Sequence, residues 1–234
     1  MYSIQTKPKI SIIVPTLNEE KLIASTLKNV RKVVPEAEII VVDGGSRDKT
    51  VEIARRYAKV NVENGGVGLA RNTGAKISEG DVLVFLDADT TITRQFIDEV
   101  LKTFKDPNFV GAGGFILPQK MNQFEEAVFY FFNLLIMASF VIGKPRLAGT
   151  CVAYKRRPFL EVDGFDINMN ASEDLELCKK ISKKGKIVFL RHVIVRTSRR
   201  RLKHLGLFKL ILDWSRVTFQ YFLGRKPQVY HSFR

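Results

Sequence analysis

The sequence predicts an α/β protein: a mostly parallel sheet with helices on both faces. Three observations carry this. Short β-branched runs alternate with helix-patterned segments through roughly the first 110 residues. The runs are apolar at consecutive positions, as strands covered on both faces are. Pro35, Gly80 and Pro107 fall between segments, where turns are needed.

The elements follow in order. Residues 10–14 read as the first strand, and Asn18 caps a helix over about 19–33 whose first-turn acids, Glu19 and Glu20, suit the positive end of the helix dipole. Residues 39–42 form a second strand, followed by Asp43-Gly44-Gly45-Ser46 and a helix near 48–58. A short third strand spans 60–62, a helix spans 67–77 before Gly80, and a fourth strand spans 82–86. Thr93 opens a helix to about Phe104. The second half is less regular: a long apolar helix over 124–142, a strand over 147–154, a helix over 172–183, one or two strands over 187–196 and a final helix over 205–223. No repeat and no Pro/Ser/Gly linker divides the chain, so residues 1–234 are expected to form a single domain in lobes.

Composition narrows the function classes. With 45% hydrophobic and 26% charged residues, the 234-residue chain can build a core without staples. Two cysteines, Cys151 and Cys178, exclude a disulfide scaffold and point to a reducing compartment. The net charge of +14 is uneven: residues 179–234 hold 16 Lys+Arg and one acid, Asp213, a local +15, which leaves −1 for residues 1–178. A uniformly basic nucleic-acid coat is excluded. Residues 1–9 are polar and 10–14 are too short for a signal core, so a cytosolic face is expected.

In open parallel sheets, ligands bind beyond the carboxyl ends of the strands. There the sequence places Pro15-Thr16-Leu17-Asn18-Glu19, Asp43-Gly44-Gly45-Ser46, a glycine-rich run at Gly65 leading to Arg71, and Asp87-Ala88-Asp89. If the last segment is extended, Asp87 and Asp89 point the same way and need a cation or a proton between them. A hard divalent ion with positions left for phosphate oxygens fits that pair, and a helix or turn cap is the plainer role. The spacing G-x-G-x-x-G is absent, as is a Walker lysine motif, which sets aside dinucleotide and P-loop readings. Asp43 is either a turn-builder before Gly-Gly or an acceptor for base or ribose donors. Ser172-Glu173-Asp174 is either a helix start with Ser172 as N-cap or the seat of a carboxylate base. His192 and His204 have no spaced partner and read as structural or surface residues, and Cys151 as core.

Four ordered motifs then resemble one family. Residues 12–19 (IIVPTLNE), 42–50 (VDGGSRDKT), 68–72 (GLARN) and 86–89 (LDAD) occur in the order and spacing of family 2 glycosyltransferases, including non-processive polyprenyl- and dolichyl-phosphate sugar transferases. The resemblance is close over about 8–115 and looser to Glu173-Asp174. It implies a GT-A fold: a nucleotide-sugar lobe at about 8–115, an acceptor lobe at about 116–200 and a basic, membrane-facing tail at about 201–234. Pro15, Thr16 and Glu19 would line the nucleotide pocket, Asp43 would hold base or ribose, and Arg71 would sit near the nucleotide-sugar. Within Asp87-Ala88-Asp89, Ala88 would touch the donor, Asp87 would face ribose or sugar, and Asp89, with Asp87, would bind Mg²⁺ or Mn²⁺. Asp174 would be the general base, supported by Glu173, in an inverting displacement on a UDP- or GDP-sugar. The Gln-x-x-Arg-Trp motif of processive members is missing, and Arg196 to Arg201 stand in its place, as phosphate clamps or as a solvated basic loop.

Two apolar segments bear on the acceptor. Residues 127–142 would extend roughly 24 Å as a helix, short of a bilayer crossing, so the segment reads as buried or interfacial rather than spanning. In the final helix, Lys209, Asp213, Arg216 and Gln220 make one polar stripe and apolar residues including Trp214 cover the rest, a pattern suited to the headgroup region of an anionic membrane. The expected activity is therefore transfer of one sugar to a lipid-linked or other membrane-surface acceptor, peripherally on the cytoplasmic face. The alternatives are the same chemistry on a soluble saccharide or protein acceptor, and a basic nucleic-acid-binding module. The last leaves Asp43, Asp87, Asp89 and Asp174 without a role, so no nucleic-acid partner is expected.

Overall fold

The computed structural model describes residues 8–169 and 171–224. Strands β1 (Ile10–Thr16), β2 (Glu38–Asp43), β3 (Lys59–Val62) and β4 (Val82–Leu86) pair in parallel in the order β3-β2-β1-β4. The same sheet continues through β7 (Cys151–Lys155), antiparallel to β4, then β6 (Phe109–Pro118), β8 (Lys186–Thr197) and the two-residue β5 (Thr90–Thr91). Strands from both halves of the chain thus share one eight-stranded sheet.

Side chains two apart on a strand share a face, and the two faces build two cores. Ile12, Val14, Val84 and Leu86 pack under α1 (Ile23–Val33) and, past the short α2 (Thr50–Ala54), under α4 (Arg94–Phe104). Ile13, Leu83 and Phe85 point the other way, toward α3 (Val67–Ile77), α6 (Arg156–Glu161) and α7 (Glu173–Ile181). On that face Phe85, Tyr154, Phe159 and Phe165 stack with ring centroids 5.0–6.3 Å apart. The expected strands at 10–14, 39–42, 60–62 and 82–86 and the helix at 67–77 are all present. Thr93 caps α4, accepting from the Phe96 amide, and Cys151 lies in the core.

Several expectations are corrected. Asn18 does not cap α1: the helix starts at Ile23 with no acid in its first turn. Asn18 instead takes a left-handed conformation (φ 53°), and its side chain accepts from the Arg47 amide, tying two loops together. The helix expected at 48–58 shortens to α2. The strand expected from 147 begins at Cys151, because Gly149 spends its N–H and C=O on site side chains. Ser172 stands at the N-cap position of α7 but is left-handed (φ 63°), and its side chain caps nothing. Residues 87–89 form a turn closed by the Thr90 amide on the Asp87 carbonyl, not an extended segment.

The remaining helices are α5 (Gln123–Val141) and α8 (Arg200–Phe222). Helix α5 lies one residue earlier than the expected 124–142 and, among the described residues, is the one helix long and apolar enough to cross a membrane. It does not run free of the sheet. Asn133 accepts from the Ile116 amide and donates to the Ile116 and Phe129 carbonyls, pinning the helix to β6. The strands on either side of it in sequence, β6 and β7, pair with each other, so both of its ends belong to one body. Helix α8 begins earlier than expected and kinks at Gly206 (φ 71°, ψ 160°), a conformation reserved for glycine. Its polar stripe is not wholly outward: Asp213 is buried, while Phe208, Leu212 and Phe219 are exposed. Residues 225–234 of the expected tail lie outside the described residues.

Candidate active site

The expected loops converge at the carboxyl edge of β1, β2 and β4, and the second half of the chain closes on them. Asp43 ends β2 fully buried. Its Oδ1 accepts from the Gly45 and Ser46 amides at 3.0 and 2.7 Å, and its Oδ2 from the Thr16 and Ser46 hydroxyls at 3.0 and 2.5 Å. Four donors fill the four lone-pair positions of the carboxylate. Through these bonds Asp43 builds the turn, fixing the loop after β2 against Thr16 on β1. The next loops touch as well, with the Gly44 amide on the Thr16 carbonyl at 2.8 Å and the Asn18 amide on the Ser46 hydroxyl at 2.7 Å.

A second group gathers around Asp89. Its carboxylate accepts from the Ser198 hydroxyl at 2.5 Å and the Thr197 hydroxyl at 3.2 Å, both at the end of β8. Arg200 makes a two-pronged ion pair with buried Glu19 at 2.7 and 2.8 Å and lies 3.9 Å from Asp89. Arg199 pairs with Glu125, and Arg201 lies 3.6 Å from Asp213. The three arginines therefore serve neither as a solvated loop nor, in this conformation, as anion ligands. Arg200 straps the start of α8 to the donor edge through Glu19 in bidentate guanidinium–carboxylate geometry, Arg199 ties it to α5 through Glu125, and Arg201 pairs within α8 with Asp213.

The third group joins the two halves. Arg71 on α3 is buried. It donates to Glu173 Oε1 at 2.8 Å, Asp87 Oδ1 at 3.1 Å and the Gly149 carbonyl at 3.0 Å, with the Phe165 ring 5.1 Å away. Asp174, next along, accepts from the backbone amides of Gly149 at 2.9 Å and Leu175 at 2.8 Å. Burial, then the neighbouring Glu173 carboxylate, push its pKa up to about 6. Adjacent carboxylates thus diverge: Glu173 is committed to Arg71, while Asp174 keeps a proton affinity near neutral pH. That is the setting of a general base.

Among the described residues no cluster of three or more His, Cys, Asp or Glu could hold a metal alone. Asp87 and Asp89 offer two hard carboxylates, each partly exposed. That donor set fits Mg²⁺ or Mn²⁺ completed by substrate phosphates and water, not a closed protein cage. Sequence reasoning missed Gly149, Ser198 and the Arg200–Glu19 pair. These partners are up to 181 positions apart, beyond any local pattern.

Residues 11–162 match the family model described as Glycosyl transferase family 2. Glycosyltransferase AglE of Haloferax volcanii is 29% identical over 204 residues, 81% of this chain and 66% of the relative. A glucosyl-dolichyl phosphate glucuronosyltransferase of the same organism is 27% identical over 183 residues, 71% of this chain and 58% of the relative. The mannosyltransferase PcManGT of Pyrobaculum calidifontis, solved with GDP-Man and Mn²⁺, superposes with a TM-score of 0.67 at 24% identity, covering 83% of this chain and 58% of that one. That structure shares the fold. The chain spans about two thirds or less of the length of each of these relatives.

Proposed function

This chain belongs to glycosyl transferase family 2, and from that premise we propose that it transfers a single sugar from a UDP- or GDP-sugar to a lipid-linked acceptor, with inversion, working peripherally on the cytoplasmic face of a membrane. The observation that carries the reading is Arg71, which holds Asp87 of the donor edge and Glu173 of the base-bearing helix in one network. Donor and acceptor chemistry then meet at one place. Thr16, Pro15 and Glu19 border the nucleotide, on a loop that Asp43 keeps rigid. Asp89, with Asp87 and Ala88 of the same turn, faces the diphosphate. A divalent ion bound there would offset the charge of the departing nucleoside diphosphate. Asp174 takes the proton of the acceptor hydroxyl as the new C–O bond forms opposite the leaving group, and Glu173 holds the start of α7 through Arg71. An acceptor that is itself a phosphate is already nucleophilic and draws less on Asp174. The relative named for a dolichyl phosphate substrate and the outward apolar faces of α5 and α8 support a lipid-linked acceptor.

The test incubates the chain with UDP- and GDP-sugars, Mn²⁺ and either a polyprenyl-linked or a soluble saccharide acceptor. Sugar should enter the organic phase only with the lipid acceptor. Asp174→Asn should lower turnover on a hydroxyl acceptor by at least about a hundredfold. Near-normal turnover overturns the base assignment, and equal transfer to soluble saccharides overturns the lipid assignment.

A further inference from the structure

Helices α5 and α8 both turn large apolar side chains outward. Three of the buried residues of α5 are polar: Asn133 grips β6, Glu125 pairs with Arg199, and Ser139 donates to the Ile136 carbonyl of its own helix. Its outward residues Phe124, Phe131, Leu134, Leu135 and Val141, with Ile142 just beyond, are between 48% and 82% exposed. At 100° per residue these side chains fall within about one third of the helix circumference, a stripe that carries no charge. Helix α8 buries Leu202, Leu210, Asp213 and Val217, yet Phe208, Leu212, Phe219 and Leu223 lie outward on one stripe. A solvated helix normally turns polar residues outward. The two helices are one unit, because Trp214 of α8 meets Phe129 and Phe132 of α5 edge to face at 5.5 and 5.4 Å.

We propose that the outward faces of α5 and α8 form a two-helix platform that seats in one leaflet of an anionic bilayer without crossing it. This rests on the lipid-acceptor reading and names the surface that would serve it. Charge complementarity selects the occupant. Lys203 and Lys209 are exposed on α8, and Lys144 is exposed just past α5. Beside the end of α5, a groove of about 660 Å³ between Phe109 and Phe140 is edged by Lys183 and Lys186, and by Lys184, which pairs with Glu161. Anionic headgroups satisfy these cations while acyl chains cover the apolar stripe. A second copy would set the same cations against each other. A crossing is opposed by the Asn133 pins and by the pairing of β6 with β7.

The experiment is vesicle partitioning of the full chain, read by sedimentation and by the fluorescence of Trp214, the chain's one tryptophan. With phosphatidylglycerol vesicles, the protein should sediment, its emission should shift to the blue and brominated lipids should quench it. Neutral phosphatidylcholine vesicles should bind at least tenfold less. Phe131→Ser with Leu135→Ser, and separately Phe219→Ser, should each weaken partitioning at least tenfold with native circular dichroism retained. Alkaline carbonate should release the bound protein. Unchanged partitioning of the variants overturns the platform, resistance to carbonate overturns its single-leaflet seating, and a vesicle-independent dimer dissolved by the same substitutions assigns the face to a second copy. Thermal stabilisation by a nucleotide-sugar without vesicles reports on the glycosyltransferase reading separately, so either claim can fail alone.

Discussion

Arg71 and Asp174 divide the work of the site between them. Arg71 is a buried cation with two carboxylate partners and a carbonyl. Removing one member of such a group strands the others, which typically costs about 3–5 kcal/mol. Arg71→Ala should therefore lower unfolding free energy by that order in urea melts, and Arg71→Lys, lacking the fork, should recover only part of it. Asp174 makes the opposite kind of prediction. Its carboxyl holds its proton up to about pH 6, and a base must be deprotonated to act. Turnover on a hydroxyl acceptor should fall as pH drops through about 6 and reach a plateau above it, and Asp174→Glu should move or abolish that limb. A turnover that is flat from pH 5 to pH 8 speaks against Asp174 as the base. Asp43, Asp87 and Asp89 were legible because each stands at or just past an apolar run at the edge where ligands bind, whereas Arg71, Glu173 and Asp174 took their roles from the family resemblance. Their division of labour was not legible, because adjacent Glu173 and Asp174 differ only in what reaches them from residues 71 and 149.

At the scale of elements, periodicity told the truth wherever burial was simple. Strands β1, β2 and β4 are covered on both faces and read as apolar runs. Strand β6 escaped notice because Gly111, Gly113 and Gly114 dilute its pattern. Those glycines answer to neighbours: a Cβ would stand 2.8 Å from the Tyr154 ring, 2.8 Å from Leu147 and 2.7 Å from the Val193 carbonyl. Helix α5 shows the other failure. Its length was nearly right, but an apolar helix with one central Asn looks the same buried or inverted until Asn133 is seen gripping Ile116. Asn133→Leu should strand that amide and carbonyl, at about 1–3 kcal/mol for each. Hydrogen exchange should rise along α5 and β6 while β1 to β4 stay protected. Uniform protection would show that packing alone holds the helix.

Over the whole molecule, the charge asymmetry of the sequence acquires a geometry. The near-neutral first three quarters carry the donor-edge carboxylates, and the basic last quarter returns to them through Ser198 and Arg200 before running outward as α8. Some of the excess positive charge is therefore spent internally, on Glu19, Glu125 and Asp213. Among the described residues, Lys203 and Lys209 of α8 and Lys144 just past α5 keep exposed positive charge. Local periodicity could expose the two ends of this arrangement, the acidic loops and the basic helix, but not the strap between them.

The central claim is that Asp89 and its neighbours hold a nucleotide-sugar through a divalent ion, and it is tested most directly by thermal unfolding against a panel of nucleoside-diphosphate sugars with and without Mn²⁺. The account predicts that one UDP- or GDP-sugar stabilises the chain, by about 2–3 kcal/mol at a hundredfold excess over its dissociation constant. That stabilisation should require Mn²⁺ or Mg²⁺ and vanish in Asp89→Ala. Stabilisation that survives chelation and Asp89→Ala alike, or none from any donor, would contradict it.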